Sequence, residues 1–158
     1  MKLPHPPVVA SAAVRVTPFS QEPEGLVAVG VSHRHAPLEL RERLYLSDGH
    51  ARELAEELRA VVLSTCNRTE LYVVAEEEAD VIAELERLAG GPLGLYLYRL
   101  TDEAAALHLF RVAAGLDSMV PGEGEILGQV RVAHELGTTG PFLDRLFRQA
   151  LHAGRKVR

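Results

Sequence analysis

One cysteine occurs in the chain, Cys66, and it sits in the segment VVLSTCNRTELYV, residues 61–73. An apolar run ends just before it, and Ser64, Thr65, Asn67, Arg68 and Thr69 surround it with hydroxyl, amide and guanidinium groups. Strand ends that feed loops are where α/β domains place reactive groups. A thiol in such a turn offers a nucleophile, with backbone N–H donors beside it. Arg68 is near enough in sequence to lower a thiol pKa if it faces the same way. It is also able to hold a carboxylate through two parallel hydrogen bonds. The bland reading stands beside this one, since a solitary cysteine also serves as a small buried hydrophobe.

Three other features bear on chemistry. His108 lies in TDEAAALHLFRVAAGLDS beside Ala106, Leu109, Phe110 and Ala113. It reads either as a satisfied structural histidine or as an imidazole facing a cleft, where proton transfer suits it. His33 and His35, in GVSHRHAP, have no zinc-ligand spacing with His50 or the lone cysteine and read as a hydrogen-bonding corner. Gly122 to Gly128 spells GxGxxxG, the outline of a dinucleotide loop. No strand precedes it, no βαβ unit surrounds it, and Glu123 and Glu125 would repel a pyrophosphate, so a nicotinamide site in this chain is rejected. The glycines let a loop approach a ligand closely, and Glu123 and Glu125 suit an ammonium group.

The elements that must position these residues follow from periodicity. Residues 26–32, LVAVGVS, read as a first strand. Pro37 starts a helical turn, and Ser47 caps a helix striped by Ala51, Leu54, Ala55 and Leu58. Strands are predicted at 60–65 and 69–75, joined as a hairpin through Cys66. A helix over 77–88 ends at Gly90–Gly91. A strand over 93–100 follows, then a helix capped by Thr101, another over 126–136, and a last one from Pro141. The order β-α-β-β-α-β predicts an α/β (α+β) fold: a ferredoxin-like antiparallel sheet covered by helices on one side, followed by additional C-terminal helices. Phe142, Leu146, Phe147, Ala150 and Leu151 share a side of the last helix. That helix stops at Arg158 without a cap and reads as a chain cut short.

Composition bounds the rest. A chain of 158 residues with 47% hydrophobic and 25% charged residues fits one soluble domain able to bury a core without metal or disulfides. A single cysteine excludes an internal disulfide and points to a reducing compartment. A net charge of -5 argues against gripping nucleic acid by general phosphate attraction. Charge is uneven, with an acidic stretch from Glu76 to Glu86 and a basic tail at Arg145, Arg148, Arg155, Lys156 and Arg158. Each reads as a solvated helix face, the tail also as a surface for RNA phosphate or a further domain. No apolar run reaches the length of a membrane span. Residues 1–24 carry five prolines and read as an irregular leader with a short strand at Val8–Val16.

Three stretches together resemble the glutamyl-tRNA reductase family: GVSHRHAPLELRERL, STCNRTELY and LHLFRVAAGLDSMVPGEGEILGQV, spread over residues 30–130. The resemblance implies a catalytic domain at residues 25–141, with 142–158 beginning a helix that leads to NADPH-binding and dimerisation domains outside this chain. It implies that Cys66 attacks the ester of glutamyl-tRNA to form a glutamyl thioester. NADPH, bound by the absent domain, then reduces it to glutamate-1-semialdehyde for tetrapyrrole (porphyrin) synthesis. It carries a role in activity onto His108, and substrate contacts onto Thr65, Cys66, Asn67, Arg68, Ser118, Glu123, Gly124, Glu125 and Gln129, Arg68 clamping the glutamate carboxylate. It further implies a homodimeric full enzyme, a cytoplasmic place, no membrane, and hand-over of the product to the next enzyme of the pathway. The family's usual GEPQI reads Gly122-Glu123-Gly124-Glu125-Ile126 here. The loop loses its proline, and residue 125 exchanges an amide donor for a charge. Two rivals remain open on the residues alone: another thiol-dependent esterase or hydrolase, and a non-catalytic ligand- or RNA-binding domain with an inert Cys66.

Overall fold

A computed structural model describes residues 25–74, 78–119, 125–137 and 140–157. The predicted leader strand at Val8–Val16 lies outside them. Strand β1 spans Leu26–Ser32, helix α1 Leu38–Arg43, α2 Asp48–Leu58, strands β2 and β3 Val61–Ser64 and Arg68–Val74, and α3 Glu78–Ala89. Strand β4 (Tyr98–Thr101) and helices α4 (Asp102–Ala113), α5 (Glu125–Leu136) and α6 (Pro141–Val157) complete the order. The sheet runs β2-β3-β1-β4 with every pair antiparallel, the arrangement predicted from the β-α-β-β-α-β order.

Local signals act as their chemistry requires. The Ser47 hydroxyl accepts from the His50 N–H and closes the first turn of α2. Gly90, at φ +87, takes the left-handed position that ends α3. Thr101 occupies the cap position of α4, although its side chain makes no cap hydrogen bond. The strand predicted over 93–100 begins later. Leu93 is buried, Gly94 at φ +54 opens a short 3₁₀ turn through Tyr96, and pairing with β1 starts at Tyr98.

Alternation along the strands sorts side chains to two faces. Val27, Val29, Val31, Val62, Leu71 and Val73 pack against α2 and α3 in one core. Leu26, Ala28, Val61, Leu63 and Tyr72 face α4, α5 and α6 in a second. Helices therefore cover both faces, not one. The later helices carry apolar stripes that need a surface, and the sheet's second face supplies it. Leu146, Phe147 and Ala150 of α6 are fully buried there. Among the described residues no helix is long and apolar enough to cross a membrane.

Candidate active site

Cys66 and Asn67 form the two-residue tip of the β2–β3 hairpin. The Thr65 N–H donates to the Arg68 carbonyl at 2.7 Å, closing the turn, and the Asn67 N–H donates to the Thr65 hydroxyl at 3.1 Å. The His33 N–H donates to the Asn67 carbonyl at 2.8 Å, and Arg41 Nη1 donates to the Cys66 carbonyl at 3.3 Å. Below the tip, Ser64 and Thr69 share a hydrogen bond of 2.9 Å, and each is also tied to the α1–α2 connection, at Leu46 and Leu44. The tip is thus pinned from four directions while the Cys66 residue itself stays exposed. A nucleophile on so fixed a turn loses little freedom when it meets a substrate.

Behind the tip lies a buried polar cluster on the α4 side of the sheet. Arg68, Glu70 and Tyr72 alternate along β3 and point to one face, where β4 contributes Tyr98 and α4 contributes His108. Arg68 is 2% exposed. Its Nη1 donates to Glu70 Oε2 at 3.0 Å and to Asp117 Oδ2 at 3.1 Å, and its Nη2 to the Asp117 carbonyl at 2.5 Å. The open guanidinium fork expected for a substrate carboxylate is therefore already shared between two carboxylates of the chain itself. Burial demands this, because an unpaired guanidinium in the sheet interior would cost several kcal/mol, ~3–5 on removal of a partner. Asp117 also accepts from Nε of Arg34 at 3.0 Å and so bridges a buried and a half-exposed arginine.

Glu70 is the hub. It is 0% exposed and accepts from Arg68, from the Tyr72 hydroxyl at 2.8 Å, from the Tyr98 hydroxyl, and from His108 Nε2 at 2.6 Å. Burial alone would raise its pKa. The hydrogen bond and charge of His108, the charge of Arg68 and the Tyr98 hydroxyl outweigh that and hold it down at about 2. Burial likewise opposes ionisation of Asp117, and Arg68 and Arg34 overcome it, leaving that pKa lowered. Burial first, then the negative charge of Glu70, pushes the pKa of both Tyr72 and Tyr98 up. Room for the hub comes from Gly30, which pairs with Glu70 on one side and Tyr98 on the other. A Cβ there would sit 2.4 Å from the Thr69 carbonyl oxygen and 2.9 Å from Glu70 Cα.

The predicted residues thus fall into three groups. Thr65, Cys66, Asn67 and Arg68 share the hairpin, and His108 joins them through Glu70. Ser118 follows Asp117, partly buried at the same end. Glu125 and Gln129 are exposed on α5 and line a groove of about 400 Å³ that also includes Ser64, Tyr45 and Asp48. Glu123 and Gly124 lie outside the described residues. Of the two corner histidines, His33 belongs to the hairpin through its backbone, and its Nδ1 is buried with no hydrogen-bond partner among the described residues. Burial first, then the positive charge of Arg68, lowers its pKa and favours the neutral ring. Sequence reasoning missed Gly30, Glu70, Tyr98 and Asp117. The period-two run Arg68, Glu70, Tyr72 was the available signal for the hub.

Residues 29–158 match the family model described as "Glutamyl-tRNAGlu reductase, N-terminal domain". This chain belongs to the glutamyl-tRNA reductase family. The glutamyl-tRNA reductase of Rubrobacter xylanophilus is 49% identical over 151 residues, an alignment covering 84% of this chain and 35% of that protein. The glutamyl-tRNA reductase of Acaryochloris marina is 42% identical over 151 residues, with the same two coverages. Among solved structures, glutamyl-tRNA reductase from Methanopyrus kandleri superposes with a TM-score of 0.68 at 36% identity, covering 84% of this chain and 34% of that one. The third of that structure which superposes has the same fold as this chain. The chain spans about a third of the length of the relatives it matches.

Proposed function

We propose that this domain takes the glutamyl group from glutamyl-tRNA onto Cys66, the first half of a reductase reaction that leads toward tetrapyrroles. The observation that carries the reading is the exposed cysteine on a hairpin tip pinned by His33, Arg41, Thr65 and Arg68, in a chain of this family. The Cys66 sulfur attacks the ester carbonyl carbon and a C–S bond forms. The bond from that carbon to the ribose oxygen breaks, and the proton lost by the thiol ends on the ribose oxygen. A thioester results, which is easier to reduce than the oxygen ester it replaces.

Selection of glutamate follows from charge. A substrate carboxylate reaches Arg68 by exchanging with Asp117, and the Arg34 side chain, 50% exposed, offers a second guanidinium at the same place. An amide in the same position cannot reproduce a paired ionic contact, so glutamine is refused. Ser118 lies next to this exchange. Thr65 and Asn67 line the thiol's surroundings, and Glu125 and Gln129, exposed on α5, complete recognition of the glutamyl group.

Reduction of the thioester calls for NADPH. The described residues do not fit that cofactor: the sheet is antiparallel throughout, so there is no parallel βαβ crevice, and Gly128 lies inside α5 rather than at a strand–helix turn. We assign the cofactor, dimerisation and product hand-over to the parts of the relatives that this chain does not match, and derive no step through them.

The test is protection of Cys66 from a thiol alkylating reagent at neutral pH. Glutamyl-tRNA is expected to slow alkylation strongly, and glutaminyl-tRNA or uncharged tRNA to slow it little. Equal protection by all three, or none by any, overturns the assignment of glutamyl specificity to this site.

A further inference from the structure

Three arginines lie around the hairpin tip, and they differ in how their charge is met. Arg34 and Arg68 share Asp117, and Arg68 also reaches Glu70. Arg41, on α1, has no carboxylate partner among the described residues. Both of its hydrogen bonds go to backbone carbonyls: Nε donates to Ala36 at 3.1 Å and Nη1 to Cys66 at 3.3 Å. A carbonyl fixes a guanidinium without neutralising it. The result is a rigid, partly exposed cation against the residue that carries the thiol, with its charge unmet. Nη2 has no partner among the described residues, so donors of the guanidinium remain to be used. Arg68, Arg34 and Arg41 all add to burial in lowering the His33 pKa, so their fields overlap at the tip.

A glutamyl ester of tRNA carries two kinds of negative charge near its ester. One is the side-chain carboxylate of the glutamyl group, which Arg68 and Arg34 meet where Asp117 now stands. The other is the last phosphodiester of the acceptor strand, one ribose away from the ester. Arg41 approaches the tip from α1, not from the residues after α4, and has no acid to give up when an anion arrives. We propose that Arg41 binds this last phosphodiester through Nη2 and so sets the terminal ribose over Cys66. The proposal rests on the reading of Cys66 as the glutamyl acceptor. It also explains how a chain of net charge -5 takes a polyanionic substrate: one cation, fixed beside the thiol, meets one phosphate.

The test measures equilibrium binding of glutamyl-tRNA over a range of salt, in Cys66→Ala so that no transfer consumes the ligand. That substitution leaves the backbone carbonyl that Arg41 holds. Adding Arg41→Gln is expected to weaken binding on the order of 10-fold, the usual worth of a charge-assisted contact. It is also expected to flatten the slope of log affinity against log salt by about 0.7, as loss of one single-strand phosphate contact does. A merely structural role would lower affinity and leave the slope as it was, and that result overturns the proposal. A second arm changes the ligand instead: glutamyl-tRNA whose last phosphodiester is a neutral methylphosphonate. The protein with Arg41 is expected to bind it about 10-fold more weakly than the natural ligand, and Arg41→Gln to bind the two alike. Equal binding of both ligands by the protein with Arg41, or no binding of glutamyl-tRNA, overturns the proposal. If Arg41→Gln does not fold, the methylphosphonate arm decides alone. Failure of the Cys66 reading is separable: the wild type then forms no thioester, while the two ligands still bind differently.

Discussion

At Gly30 the absence of a side chain does more than loosen a strand. Its neighbours across the sheet are Glu70 and Tyr98, whose side chains meet over it. Gly30→Ala is therefore expected to lower stability by about 1–3 kcal/mol, the usual cost of forcing atoms into a filled interior, and to reduce thioester formation through the displaced hub. Urea unfolding measures the first effect, and wild-type stability would contradict the account. Glu70 also sets an acid limit. Its carboxyl has a folded pKa of about 2 against an ordinary 4.5, so the stability it contributes is complete above pH 4.5 and is lost as pH falls toward 2. Asp117, lowered as well, acts in the same sense. Unfolding free energies compared at pH 6 and pH 3 are expected to fall more in wild type than in Glu70→Gln. An equal fall in both would show that the cluster is not coupled to folding.

At the scale of elements, helix α6 is where propensity and packing disagree. Gly154 lies in its last turns, and an alanine in a helix interior is ordinarily better by about 1 kcal/mol. Here the added Cβ would meet the Ala113 carbonyl oxygen at 2.9 Å and Leu127 Cδ1 at 2.8 Å. The backbone oxygen cannot swing away as a side chain can. Gly154→Ala is accordingly expected to lower the midpoint of thermal unfolding, and a raised midpoint would mean that α6 does not pack this closely. Strand β3 teaches a related lesson about what a sequence conceals. Thr69, Leu71 and Val73 announce one buried face, while Arg68, Glu70 and Tyr72 read as the wet side of an ordinary alternating strand. They are buried too, because α4 brings His108 over them. Alternation states that two faces differ; it does not state whether the polar one meets water or a fitted partner from 38 residues further on.

For the molecule as a whole, strand order was legible because each crossover carries its own signals: the Ser47 cap, the stripe of α2, and the short link through Cys66 and Asn67. Coverage of the second sheet face was not legible. The apolar stripes of α4, α5 and α6 require a surface without naming one. The hairpin residues of the site could be read from one local segment, whereas Gly30, Asp117 and Tyr98 enter only once β1, β4 and the residues after α4 are folded together. The central claim, that Cys66 accepts the glutamyl group, is tested most directly by one single-turnover reaction of the folded protein with glutamyl-tRNA bearing labelled glutamate, quenched in acid and read by intact mass. One glutamyl group per chain, absent in Cys66→Ala, is the predicted result. A folded chain that binds glutamyl-tRNA yet gives neither adduct nor Cys66-dependent release of glutamate would contradict it.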